Sequence, residues 1–233
     1  MIRADSLSVD LAGQRVLRAV SALFEPGRTV AIVGRNGAGK TTLLRALMGL
    51  VAPAAGRVLI DDVDVSTQAA HRRAAAGLGY APQDRVILPT LSVRENVTLP
   101  CDVQRMPRPA ITQRLDEVLA IVPQLQPLLA RSGAALSGGQ GKIVALARAL
   151  MVGERFVLLD EPFQGLAPAL AEQYGSALRG LRTSRPRLCV VVTESNAALL
   201  DGIPSQTLHI ERGALVPSTP RADLEESESR GHP

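Results

Sequence analysis

The chain is 233 residues long, 46% apolar and 2% aromatic, with no Trp and a formal charge of only +4. That length gives one domain, or one domain carrying a small lobe, with a sizeable core. So few rings argue against the stacking platforms that bind single-stranded nucleic acid, and no apolar run approaches the ~20 residues of a membrane span.

Period-2 alternation and short apolar runs predict strands near 3–9, 15–21 and 28–33, the last leading into a helix at 40–50. A strand near 57–61, a helix at 68–76 and a strand near 77–81 follow. The stretch from about 84 to 135 reads as helix and loop, with helices at 92–98 and 110–121 and Pro at 89, 100, 107, 109, 123 and 127. Helices at 139–152 and 168–182 then alternate with strands near 155–160, 187–193 and 206–210. That alternation implies parallel strands joined by right-handed crossovers, with the block at 84–135 inserted as a small helical lobe. Beyond 217 the composition turns to Pro, Ser, Glu and Arg. The reading is one domain over 1–217 and a disordered tail over 218–233.

The opening stretch MIRADSLSVD has no apolar h-region, so a soluble chain is expected, any membrane role coming through partners. Cys101 and Cys189 are 88 residues apart and read as reduced core thiols. The three His are isolated, and no His/Cys metal spacing occurs. Of 26 basic residues 24 are Arg; the two Lys, Lys40 and Lys142, therefore stand out against an Arg default.

Lys40 lies in Gly34-Arg35-Asn36-Gly37-Ala38-Gly39-Lys40-Thr41, which fits G-x-x-x-x-G-K-[ST] between a strand and a helix, with Thr42 continuing the helix. A plain Gly-rich turn would account for the glycines but not for Lys40. Successive N–H groups turned inward make an anion nest, and the helix N-terminus adds its positive end. Lys40 is expected to reach the β- and γ-phosphates of a nucleotide and Thr41 to offer its hydroxyl to Mg²⁺. The strand Arg155–Asp160 ends in Asp160 and Glu161. Such a site needs an acid at a neighbouring strand end for the metal, which suits Asp160. Because strand side chains alternate, Glu161 points elsewhere and can address the attacking water.

Leu136-Ser137-Gly138-Gly139-Gln140 precedes another helix. Ser137 can cap it with the glycines as a turn, yet five specific residues exceed what capping needs. These three motifs, in this order, resemble the ATP-binding subunits of ABC transporters over residues 3–216. The resemblance implies a P-loop α/β fold with a parallel core sheet, an N-terminal antiparallel β subdomain and the inserted helical lobe. It further implies ATP and Mg²⁺ as ligands and a head-to-tail dimer with a second ATPase subunit, the same or related. In that dimer Ser137, Gly138, Gly139 and Gln140 serve the partner's nucleotide. Gln83, in Gly79-Tyr80-Ala81-Pro82-Gln83-Asp84, takes the position of a Gln that contacts Mg²⁺ and water. The helical lobe, with Leu88–Val97, resembles the surface where permease subunits dock. A cytoplasmic chain held at the membrane by permeases, served indirectly by a substrate-binding protein, is the implied setting. Lys142, one turn into the helix, is expected to be a solvated surface residue.

Three positions depart from the family pattern. Leu11 stands where an aromatic ring stacks on adenine, a loss of ~0.5–1.5 kcal/mol, with Val16 adding aliphatic contact. Ala167 replaces an Asp. Ser195 aligns with the switch His; being short, it is expected to act through water. Gly165-Leu166-Ala167-Pro168 and Glu194-Ser195-Asn196 resemble the ATPases of branched-chain amino-acid, amide and urea importers. Asp160-Glu161-Pro162-Phe163 with Gly165 also resembles lipopolysaccharide-export ATPases. A soluble cofactor-assembly ATPase and a weakly hydrolytic regulatory subunit are the remaining readings.

Overall fold

The computed structural model describes residues 1–84 and 87–216, so the expected tail at 218–233 lies outside the described residues. The chain opens with β1 (Ile2–Leu11), β2 (Gln14–Phe24) and β3 (Thr29–Val33), then α1 (Lys40–Met48), β4 (Ala55–Ile60) and β5 (Val63–Asp64). Next come α2 (Ala70–Ala75), β6 (Leu78–Ala81), α3 (Val93–Val103) and α4 (Arg108–Ile121). The last part holds α5 (Gly138–Val152), β7 (Phe156–Asp160), α6 (Pro168–Ser184), β8 (Cys189–Glu194), β9 (Gln206–Glu211) and β10 (Ala214–Val216). Short 3-10 turns at Pro123–Leu128 and Gly133–Ala135 join α4 to α5.

Two sheets divide the strands. One is antiparallel in the order β2-β1-β4-β5; the other runs β10-β9-β3-β8-β7-β6 and is parallel except for the β9–β10 hairpin. The parallel strands are apolar throughout because both faces are covered. Alternate residues feed two cores: Val30, Ile32, Phe156, Leu158 and Val191 pack with α1 and the antiparallel sheet. Ala31, Val33, Val157, Leu159, Val190 and Val192 pack with α3 to α6. The C-terminal ends of β3, β8, β7 and β6 therefore line up along one edge, where side chains from distant segments can converge.

The fold class agrees with the sequence reading, and the differences are local. β5 and β10 are two and three residues long, too short to show a period. The helix expected at 92–98 continues through Pro100 to Val103. Proline removes only one donor there, and Val97 and Cys101 are buried on α5-side core residues, which holds the extra turn. Among the described residues no helix is long and apolar enough to cross a membrane.

Arg73 in α2 was not foreseen as a structural centre. It is fully buried. Its guanidinium donates to the carbonyls of Ala46 (2.9 Å), Leu47 (2.7 Å), Val65 (2.6 Å), Ser66 (3.2 Å) and Gln68 (3.2 Å). The first two are last-turn carbonyls of α1, of which that of Ala46 also accepts from the C-cap Gly49 N–H (3.1 Å). Arg73→Met is expected to lower the unfolding free energy by about 2–4 kcal/mol, because five carbonyls lose a charged donor and only those of Ala46 and Val65 keep a backbone N–H, from Gly49 and Gln68. Urea denaturation reads this; a loss below about 1 kcal/mol would mean that water replaces the guanidinium.

Candidate active site

The site is assembled at that shared sheet edge. β3 ends at Val33, and Gly34 turns the chain under Ile210; a side chain at Gly34 would stand 2.3 Å from the Ile210 carbonyl. The turn is closed by Ala38 N–H donating to the Arg35 carbonyl (3.1 Å) and by Gly213 N–H donating to that of Ala38 (3.0 Å). Gly39, at φ 108°, leads into α1, whose first-turn N–H groups point back at the loop. The walls of this cleft, of about 280 Å³, are Val16, Asn36, Gly37, Gly39, Lys40, Thr41, Thr42, Gln83 and Glu161. Leu11, half-exposed at the end of β1, lies outside those walls; the aliphatic surface in the cleft is Val16.

Lys40 is buried, and its ammonium donates to the carbonyls of Gly34 (2.6 Å) and Arg35 (3.1 Å) and to Ser195 Oγ (3.1 Å). It also pairs with Glu161 Oε1 at 3.0 Å, with the two side chains 3% and 5% exposed. Ser195 Oγ lies 2.7 Å from Asn36 Oδ1 and 2.8 Å from Glu161 Oε1; its single proton serves one of them at a time. The residue at the switch position thus reaches both the phosphate-loop lysine and the acid directly.

The two carboxylates of the pair have separate partners. Asp160 Oδ1 accepts from Thr41 Oγ1 (3.1 Å) and Thr193 Oγ1 (2.8 Å), and Oδ2 from Tyr80 (3.4 Å). Burial pushes the Asp160 carboxyl above its usual range, the hydroxyl donors oppose this, and the Glu161 charge adds to it. Oxygen donors on Thr41 and Asp160, 3.1 Å apart, suit a hard divalent cation. No cluster of three His, Cys, Asp or Glu occurs among the described residues. Mg²⁺ takes one or two protein oxygens and fills its shell with phosphate and water. Glu161 diverges from Asp160 by more than strand alternation, because its backbone is left-handed at φ 44°.

Gln83, beyond the end of β6, donates from Nε2 to Gln164 Oε1 at 2.7 Å. It also walls a second cavity, of about 490 Å³, shared with Ser137, Gly138, Lys142, Gln164 and Gly165. Ser137 caps α5: its Oγ accepts from Gln140 N–H (3.3 Å), and Gln140 Oε1 accepts from Ser137 N–H (3.0 Å). Gly139 lets the helix start press on α6, since a side chain there would meet Leu170 at 2.4 Å. Ser137 and Gly138 are exposed, and neither is among the walls of this chain's own phosphate-loop cleft.

Residues 17–164, more than half of the chain, match the ABC transporter family. The chain belongs to that family. A putative 2-aminoethylphosphonate import ATP-binding protein, PhnT, of Salmonella choleraesuis is 38% identical over 80% of this chain. The chain spans about half the length of that relative (50%). The lipopolysaccharide export system ATP-binding protein LptB of Escherichia coli K12 is 34% identical over 92% of this chain and 88% of its own length. The dimeric structure of a bacterial ABC transporter cassette, 24% identical, superposes with a TM-score of 0.82 over 93% of this chain and 97% of that one. At that identity the likeness speaks for the cassette fold alone.

Two residues of this cassette's site escaped the sequence reading. Lys142 is no solvated surface residue: it is half-buried, and its Nζ donates to the Glu161 backbone carbonyl at 2.5 Å. Helical periodicity ranks faces of a helix and does not say what a four-carbon stem can reach; the scarcity of Lys was the available signal. Glu194 is the second. It is 1% exposed, and its Oε1 accepts from Phe163 N–H at 2.8 Å.

Burial pushes the Glu194 carboxyl up to about 7; the Phe163 N–H and the Lys142 charge pull it down, and the Glu161 charge raises it. Against an ordinary value of 4.5, the folded chain binds the extra proton between these limits. This group's contribution to stability is therefore full below about 4.5 and lost as pH rises through about 7. Glu194→Gln is expected to flatten stability between pH 5 and 8 and to stabilise the chain at pH 8 by about 1–3 kcal/mol. Denaturant midpoints across that range check it, and an unchanged slope would place the titration elsewhere.

Proposed function

We propose that this chain is the ATP-hydrolysing subunit of an ABC transport complex. The observation that carries the reading is the convergence on Lys40: Glu161 Oε1 at 3.0 Å and Ser195 Oγ at 3.1 Å, with the Thr41–Asp160 pair alongside. A triphosphate entering the nest would take the Lys40 ammonium from Glu161, and the released carboxylate would then polarise the attacking water. Ser195 stands between the two and can follow the lysine or the acid. Thr41, Asp160 and Gln83 would hold Mg²⁺, which supplies charge neutralisation on the transferred phosphoryl group. ATP closing two cassettes head to tail would bring Ser137, Gly138, Gly139 and Gln140 of one chain onto the nucleotide of the other. The second cassette, this chain or a relative, and permease subunits at the inner face of the membrane are the partners this implies.

Gly165–Pro168 and Glu194-Ser195-Asn196 favour an importer of branched-chain or hydrophobic amino acids or amides, served by a substrate-binding protein. The near full-length similarity to an export-system protein favours export as the second reading. Affinity purification from membranes, identifying the co-purifying chains and measuring ATP turnover, tests the proposal. Permease subunits with turnover are expected, and a binding protein among the co-purified chains decides for import. A soluble scaffold in place of membrane chains, or no turnover, would overturn it.

A further inference from the structure

The chain has two lysines against 24 arginines, and both address one residue. Lys40 takes the Glu161 carboxylate at 3.0 Å, and Lys142 takes the Glu161 backbone carbonyl at 2.5 Å. Glu161 is held in the left-handed region at φ 44°, a conformation that persists for a non-glycine residue only where its surroundings over-determine it. Its N–H donates to the Thr193 carbonyl (3.2 Å) and Oγ1 (3.1 Å), which fixes one side of the residue to β8. Its carbonyl accepts from Lys142 and from Gln164 N–H (3.3 Å), which fixes the other side to α5 and to the loop carrying Gln164.

We propose that Lys142 is a positioning residue for hydrolysis, holding the Glu161 peptide from α5 and so setting where the carboxylate stands. The inference rests on the reading of Glu161 as the residue that polarises water. Lys142 projects from the second turn of α5, behind the Ser137–Gln140 cap. A shift of that helix start moves Nζ, then the Glu161 carbonyl, then the carboxylate. Contact at the exposed signature end of this chain would thereby bear on the chain's own acid. The Lys142 charge pulls the Glu194 carboxyl down against the effect of burial, and Glu194 Oε1 is engaged by Phe163 N–H at 2.8 Å. Lysine suits this position because a compact ammonium on a flexible stem satisfies one carbonyl, where a guanidinium fork presents more donors than a single oxygen can take. Displacing a reacting carboxylate by about 1 Å is enough to cost on the order of 100-fold in rate.

The test uses the full chain with its co-purifying subunits and compares Lys142→Met, which keeps the stem, with Lys142→Arg, which keeps a cationic donor. For Lys142→Met, kcat is expected to fall about 10–100-fold, with KM, binding of a fluorescent ATP analogue and Tm close to wild type. Lys142→Arg, which keeps a cationic donor but not the single-ammonium fit, is expected to recover part of the rate. In a Glu161→Gln background, Lys142→Met should add no further loss, because its effect passes through that carboxylate. If the Met variant does not fold, Lys142→Gln takes its place in the same comparison. Unchanged kcat, additive losses in the double variant, or kcat, binding and Tm falling together would each overturn the positioning role. Wild-type complex without turnover would overturn the parent reading, and this one with it.

Discussion

Glu161→Gln is expected to lower ATP turnover by about 10²–10⁴-fold, the range over which a positioned general base acts, while nucleotide binding is retained. The amide has nearly the same shape, so it fits the buried space, 4% exposed, that the carboxylate fills. It still offers Lys40 an oxygen, and the lysine keeps its bonds to Gly34, Arg35 and Ser195. What it loses is the capacity to accept a proton from water. It also loses a negative charge beside the phosphate nest, which removes repulsion and favours longer residence of ATP. Steady-state phosphate release and equilibrium ATP binding, measured on the same preparation, separate the two effects. Turnover within about tenfold of wild type would move the base to another group. The neighbouring buried carboxylates are Asp160, which accepts from Thr41, Thr193 and Tyr80, and Glu194, whose Oε1 accepts from Phe163 N–H.

Much of this architecture was legible in the sequence because the demands fall on local residue types. A strand running into a phosphate-binding turn needs glycine where Ile210 leaves no room for a side chain, at Gly34. Alternating and continuous apolar runs were enough to give the parallel strands, since both cores draw on successive residues of the same short segments. The buried polar anchors were hidden for the opposite reason. Arg73 reads as one more basic residue on an Ala-rich helix; only the meeting of α1, α2 and the turn at 65–68 surrounds it with five carbonyls. Lys142 is set by a contact 19 residues away in sequence, which no helical period encodes. Leu11 sits at the end of β1, outside the walls of the phosphate-loop cleft, to which Val16 belongs.

Lys40→Met is expected to abolish productive nucleotide binding and also to destabilise the fold by about 3–5 kcal/mol, the cost of stranding a buried charge by removing its partner. The second effect sets this lysine apart from an exposed phosphate ligand. With both side chains at 5% exposure or less, Glu161 cannot recover hydration when Lys40 is lost, and Ser195 offers it only one hydroxyl proton. The Gly34 and Arg35 carbonyls lose a donor in the same step, which loosens the turn that shapes the nest. A cycle with Glu161→Gln isolates the charge effect from these losses. The double variant Lys40→Met/Glu161→Gln should be more stable than Lys40→Met alone, because the stranded charge is gone while its shape remains. Nucleotide binding should stay absent in both, since the amide supplies no cation for the phosphates. Denaturation midpoints of the four proteins give the coupling directly. Additive destabilisation, with no recovery in the double variant, would show that water reaches Glu161 and that the pair is screened.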